Sequence, residues 1–259
     1  VEYEEEKTMS WSIVNGDCVS HLQGLPERSA RLVFADPPYN IGVDYGDHYS
    51  DDRSGNEFLC WCTEWMNAAA SVLTDDGSLW VLVNHELGHR IASIGIDNVG
   101  LHLRQTIIWR ETFGVCCKRK FNRTSRPLLH FTMSPGKFVF NADSPMIRKA
   151  SDRLLKYNDK RANPSGKLLD DVWDIPRVCG TFKERIKGFP TQLPVELLRR
   201  VVGCASDPGD LVIDPFSGSG TTGAACIGLD RRYLGIELSP EFARLSTDRL
   251  SKLASKLAG

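Results

Sequence analysis

"DLVIDPFSGSGTTGAACIGLDRRYLGIELSPEF", residues 210–242, holds an apolar run ending in an acid, a glycine-rich turn, a small-residue helical stretch and a second apolar run ending in Glu237. Gly218, Gly220 and Gly223 spell G-x-G-x-x-G, and Glu237 lies 19 residues beyond Gly218. Glycines let the backbone come close to a ligand, and an acid at the tip of the next strand can accept both hydroxyl protons of a ribose. Strand, turn, helix, strand and acid in this order point to a nucleotide cofactor. NAD and S-adenosylmethionine both present an adenosine ribose, so the pattern leaves that choice open. A P-loop is disfavoured because no lysine follows the glycines.

Working outward, β-type runs bounded by turn residues recur at 11–14, 31–35, 78–83, 104–109 and 127–133, which with 210–213 and 233–237 predict seven strands. Helical spacing is read at 57–73, 86–94, 194–204, 220–227 and 240–257. Strands alternating with helices imply an α/β fold with a mostly parallel sheet covered on both faces. The stretch 141–187 breaks the rhythm, being polar, basic and rich in Pro, Gly and Asn. It reads as an inserted recognition segment in a body made of 11–140 and 188–259, with 1–10 as a flexible extension. Trp173, within it, reads as a packing anchor.

Net charge is only −1, but residues 115–190 carry 17 Lys and Arg against 7 Asp and Glu, and the remainder 15 against 26. That asymmetry fits a polyanion-binding lobe on an acidic body. The eight cysteines include no C-x-x-C pair, so reduced thiols are expected rather than a zinc knuckle. No run reaches the roughly 18–20 apolar residues of a membrane span, and a cytoplasmic protein with no membrane partner is expected.

Two further motifs compete for the chemistry. "HELGH" (85–89) matches the zinc-protease pattern H-E-x-x-H, yet it follows an apolar strand directly and has a glycine in its first turn. The plainer reading is a strand-to-helix junction with Asn84 as cap. "DPPY" (36–39) follows the strand "RLVFA" and so sits at the carboxyl edge of the sheet, where open α/β folds bind ligands. Two prolines make the turn rigid. A fixed carboxylate, a carbonyl and an aromatic face suit a planar group bearing an NH2; a turn that merely ends the strand would look the same.

Taken together, "NGDCVSHLQGLPERSARLVFADPPYN" (15–40) and "FPTQLPVELLRRVVGCASDPGDLVIDPFSGSGTTGAACIGLDRRYLGIELSPEF" (189–242) resemble the S-adenosylmethionine-dependent DNA amino-methyltransferases. The likeness is to the permuted beta class, whose catalytic motif precedes the cofactor motif. The resemblance implies a Rossmann-like seven-stranded sheet in circularly permuted order, with the first strand beside the last. It implies that Asp36 and the Pro37 carbonyl accept hydrogen bonds from an exocyclic amine, that Pro38 stiffens the turn, and that Tyr39 stacks on a flipped base. Asp214, Phe216, Gly218, Ser219, Gly220, Thr221 and Thr222 would surround the methionine portion of S-adenosylmethionine, Glu237 its ribose, and Asp17 with Cys18 its adenine. Lys118, Arg119, Lys120, Arg123 and Arg126 would meet phosphates of double-stranded DNA, and Lys149, Arg153, Lys160 and Arg161 would lie in target recognition. The expected reaction is methylation of adenine N6, with N4 of cytosine, an RNA substrate and, outside the class, an NAD oxidoreductase as alternatives. No metal is expected; a homodimer and a cognate restriction endonuclease are the companions implied.

Overall fold

The computed structural model describes residues 10–42, 52–157 and 159–258. The extension expected over 1–10 therefore lies, except for Ser10, outside the described residues. Among the described residues there are ten strands: β1 (Trp11–Asn15), β2 (Ala30–Ala35), β3 (Leu73–Leu82), β4 (His102–Val115), β5 (Arg123–Thr132), β6 (Arg148–Lys149), β7 (Lys167–Leu168), β8 (Val172–Asp174), β9 (Leu211–Asp214) and β10 (Arg232–Glu237). The helices are α1 (Cys18–Gln23), α2 (Gly55–Val72), α3 (Gly88–Ser93), α4 (Asp152–Leu155), α5 (Val195–Ala205), α6 (Thr221–Ile227) and α7 (Pro240–Ala258).

The main sheet runs β1-β10-β9-β2-β3-β5-β4-β8, while β6 and β7 form a separate two-stranded ribbon. From β1 to β3 every pairing is parallel; β5 is antiparallel to both of its neighbours, β3 and β4. The first strand pairs with the last from Trp11 opposite Tyr233 to Asn15 opposite Glu237, the arrangement that a permuted order requires.

Apolar runs form these strands because both faces are covered. In β2, Val33 and Ala35 pack with Leu22, Trp65 and Leu79 on the side of α1 and α2. Leu32 and Phe34 pack with Leu198, Val202 and Ala225 on the side of α5 and α6. Helix α2 starts at a capping box in which Ser54 Oγ accepts from Glu57 N and Glu57 Oε2 accepts from Ser54 N at 3.1 Å. It ends at Leu73, whose extended backbone opens β3.

All seven expected strands are present, and an eighth, β8, adds to the edge of β4 with Trp109 opposite Trp173. Three residues pair there because Trp173 is buried, stacks on Trp80 with centroids 6.4 Å apart and donates from Nε1 to the Asp170 carbonyl at 3.0 Å. The segment expected as an insertion thus shares the core of the body. Downstream of β3, Asn84 Oδ1 accepts from Leu87 N at 2.8 Å and its carbonyl accepts from Gly88 N at 3.0 Å. Helix α3 starts only at Gly88 and runs into a single π-turn over Ile94–Asn98. His85 therefore precedes the helix, with Nε2 3.1 Å from Ser125 Oγ, and the two histidines of "HELGH" share no helical face. Among the described residues no group of His, Cys, Asp and Glu is placed to hold a metal ion, and no helix is long and apolar enough to cross a membrane.

The β2–α2–β3 and β9–α6–β10 crossovers leave adjacent strands in opposite directions along the sheet. Open α/β sheets form their ligand crevice where neighbouring connections diverge in this way.

Candidate active site

At that divergence, beyond the carboxyl ends of the strands, lies a cleft of about 630 Å³, within the range typical of small-molecule sites. Asp17, Asp36, Asn84, Phe216 and Glu237 line it, each at or just beyond the end of a different strand, and Glu111 lines it from within β4.

One half is built from the glycine-rich turn. Gly218 (φ 47°) and Gly220 (φ 71°) adopt the left-handed conformation that favours glycine. The turn brings Gly218 N to Glu237 Oε2 at 2.7 Å, and Ser239 N donates to Glu237 Oε1 at 2.9 Å. The carboxylate at the tip of β10 is thereby fixed. Burial nevertheless raises its pKa, against the lowering effect of those amides. Asp214 is held by Thr222 Oγ1 and by Phe216 N, and burial pushes its carboxyl up to about 7. Phe216 is wedged edge-on between Trp61 and Trp65, at 5.7 and 5.3 Å. Asp17 caps α1 through bonds from Ser20 N and Ser20 Oγ. Beside it, burial pushes the Cys18 thiol up to about 12, so Cys18 is a neutral wall residue.

Among the residues expected on the cofactor, Asp17, Cys18, Phe216, Gly218 and Glu237 line the cleft, whereas Asp214, Ser219, Gly220, Thr221 and Thr222 do not. The Thr222 hydroxyl is spent on Asp214. That of Thr221 is shared with Leu193 O, Ser219 and Arg249. These residues shape the turn from behind instead of facing the ligand space.

The other half holds Asp36, Pro37, Pro38 and Tyr39, all on the cleft wall. The Tyr39 hydroxyl donates to Asp36 Oδ1. Arg126, expected among the phosphate contacts, turns inward. Its Nε lies 2.7 Å from Glu111 Oε1, its guanidinium covers the Trp109 ring at 5.1 Å, and its charge acts on both Tyr39 and Asp36. Burial raises the Asp36 carboxyl, Arg126 and the Tyr39 hydrogen bond oppose that rise, and Glu111 adds to it. A buried carboxylate beside an anchored cation is a group held for accepting hydrogen bonds.

The remaining basic candidates are scattered. Lys118, Arg119 and Lys120 are exposed between β4 and β5, beside Phe121, which is 98% exposed. Lys120 and Arg123 both pair with Glu86, and Arg123 reaches the cleft mouth. Lys149 pairs with Asp170 and Arg161 with Asp159. Arg153 and Lys160 sit on exposed surface of the same segment. Glu111, Arg126 in its inward role, and Asn84 as a cleft residue were missed by sequence reasoning. A signal existed for Asn84, which, like Asp36, is the first polar residue after a buried apolar strand.

Residues 30–248 match the family model N6_N4_Mtase, described as a DNA methylase. The chain is 32% identical over 246 residues to the DNA adenine methyltransferase YhdJ of Escherichia coli (strain K12), covering 92% of this chain and 82% of that protein. It is equally 32% identical over 242 residues to the type II methyltransferase M.HpaI of Haemophilus parainfluenzae, covering 93% and 74%. Among solved structures it resembles the PvuII DNA methyltransferase, named cytosine-N4-specific, with a TM-score of 0.71 at 17% identity over 96% and 94% of the two chains. A complex of M1.HpyAVI with SAM gives 0.67 at 22% identity over 93% and 98%.

Proposed function

The chain belongs to the N6/N4 family of DNA methylases and is a DNA methyltransferase, and from that premise we propose that its target is N6 of adenine in a base flipped out of double-stranded DNA. The carrying observation is that Asp36, after β2, and Glu237, at the tip of β10, face one cleft where the crossovers diverge. Asp36 and the Pro37 carbonyl accept hydrogen bonds from the two amine N–H groups, draw the nitrogen towards a pyramidal shape and stabilise the positive charge that grows on it; once the methyl group has moved from sulfur to nitrogen, the acidic ammonium releases one proton to water. Tyr39 leaves Asp36 and stacks on the base.

Glu237 takes the ribose hydroxyls of S-adenosylmethionine, Asp17 lies at its adenine, and Phe216 and Gly218 flank its methionine portion. The bound cofactor supplies a sulfonium methyl. The fit rests on an already fixed carboxylate, an aromatic wall and a neutral thiol in a cleft of about 630 Å³. Holding amine and methyl donor in one cleft contributes through orientation, for which well-aligned intramolecular reactions set a scale of roughly 7–11 kcal/mol. Lys118, Arg119 and Lys120 hold the phosphate backbone.

The name of YhdJ favours adenine over cytosine. The test is transfer of tritiated methyl from S-adenosylmethionine to DNA, followed by nucleoside analysis. N6-methyldeoxyadenosine as the labelled product, lost in Asp36→Ala while cofactor binding persists, is the expected outcome. Label in N4-methylcytosine or only in RNA, or an active Asp36→Ala enzyme, would overturn the assignment.

A further inference from the structure

Asn84 is 4% exposed and forms part of the cleft wall. Its Oδ1 accepts from Leu87 N at 2.8 Å. A backbone N–H can be met only by the oxygen of an amide, so this bond fixes which way round the side chain sits. The amide donor left over, Nδ2, is buried and has no hydrogen-bond partner among the described residues. Buried donors are nearly always satisfied, and a native exception calls for a physical reason.

Position narrows the reason. In the β2–β3 ladder Ala35 lies opposite Val81, so continuing the register puts Asn84 level with Pro38, beside the turn that carries Asp36. On its other side Val83 N donates to the carbonyl of Pro127, the residue after Arg126. Asn84 therefore stands two residues beyond the end of β3, with β2 between that strand and β9, β10 and β1, which carry the proposed cofactor residues.

We propose that Asn84 Nδ2 donates to the ring nitrogen next to the exocyclic amine of the target base, and so completes a three-point reading of its Watson–Crick edge. Adenine and cytosine present there an amine donor beside a ring acceptor, N1 or N3. Guanine and thymine present a carbonyl beside an N–H, the reverse order. Asp36 and the Pro37 carbonyl as acceptors, with Asn84 as donor, match the first pair and leave like groups facing each other with the second. Sites that hydrogen-bond a substrate discriminate strongly because a mismatch leaves buried groups unpaired. The assignment rests on the proposed role of Asp36.

The test is a two-by-two comparison of kcat/KM. The DNA probe carries the site that the wild-type enzyme methylates in a methylation-free host, with adenine or 1-deazaadenine at the target (cytosine or 3-deazacytosine if that is the product). Asn84→Ser keeps an acceptor for Leu87 N but removes the amide donor. Wild type is expected to lose roughly tenfold or more on the deaza base. Asn84→Ser loses a similar factor on the natural base, and less than about threefold further on the deaza base, as coupled partners require. Independent, multiplying losses would overturn the assignment. Unchanged S-adenosylmethionine affinity of Asn84→Ser reports an intact fold; if that affinity is lost, Asn84→Asp, which also keeps the acceptor, replaces it in the same cycle. A wild-type enzyme that labels no DNA sinks the proposed function, whereas a wild type that labels DNA with an additive cycle sinks only the role of Asn84.

Discussion

Arg126 on β5 reaches Glu111 on β4, Nε to Oε1 at 2.7 Å, and in doing so leaves the basic run that precedes it and enters the cleft beside Asp36. The cation is thus part of the environment that decides whether Asp36 is charged. Titratable groups from four places act around it: Arg126 on β5, Glu111 on β4, Asp214 on β9 and the neutral Tyr39 phenol on its own turn.

Arg126→Gln removes an effect that lowers the Asp36 pKa, which burial already holds above the ordinary carboxylate range. The sign is therefore upward, and the acid limb of kcat/KM for DNA should move to higher pH. Glu111→Gln keeps an oxygen for Arg126 and removes an effect that raises the pKa, so its limb should move the opposite way. Limbs that shift together, or not at all, would show that the pair only supports the fold.

Asp214 has its pKa pushed up from 3.8 to about 7 by burial. The folded state then holds a proton that the unfolded chain has released, so stability falls as pH rises from about 4 to about 7 and levels off above. Asp214→Asn should flatten part of that decline. Thermal melting of both proteins at pH 5 and pH 8, without cofactor, checks it.

Glu237 uses both oxygens to hold backbone amides of Gly218 and Ser239. Glu237→Ala unties both amides and removes the acceptor proposed for the ribose. Calorimetry should show S-adenosylmethionine binding weakened by roughly tenfold or more, with binding of unmethylated DNA much less affected.

Gly223 is packed so closely that a Cβ there would lie 2.6 Å from Leu250 Cδ1 and from Tyr233 Cε1. Gly223→Val forces α6 away from β10 and α7 and should cost about 1–3 kcal/mol, read as a lower urea midpoint with an unchanged slope.

Lys118 and Arg119 are exposed and take part in no ion pair among the described residues. Replacing both with alanine should weaken binding about equally on all sequences and reduce the salt slope by about two. A slope that stays at the wild-type value would remove them from the DNA path.

Much of this fold could be read from the chain because its strands are apolar runs with their polar residues at the tips. A run such as "RLVFADPPY" declares both the strand and the place where it meets solvent. β8 could not be read so, because its three residues form a strand only through the burial of Trp173 against Trp80, some ninety residues earlier. Arg126 was misplaced for a different reason. Charge counting treats a basic run as one surface, but alternation along β5 puts Arg126 on the side of Leu128, which belongs to the buried face shared with Trp109. Asn84, expected as a helix N-cap, instead holds the turn ahead of α3 by accepting from Leu87 N, because the helix starts only at Gly88; the role proposed for it lies in the amide donor that bond leaves over.

Only two register pairs, Leu32 with Val212 and Val33 with Ile213, join β2 to β9, whereas the β1–β10 ladder has five. One side of that narrow seam carries Glu237 and the glycine-rich turn, and the other carries Asp36, Tyr39 and Asn84. With the methyl donor and the target amine placed as proposed, the gap between them is a mechanical property of the seam. A small slip between the two half-sheets would lengthen or shorten it while leaving each ligand's own contacts intact, so a change in the packing beneath Val33 and Ile213 could alter the rate of transfer without touching affinity for either substrate.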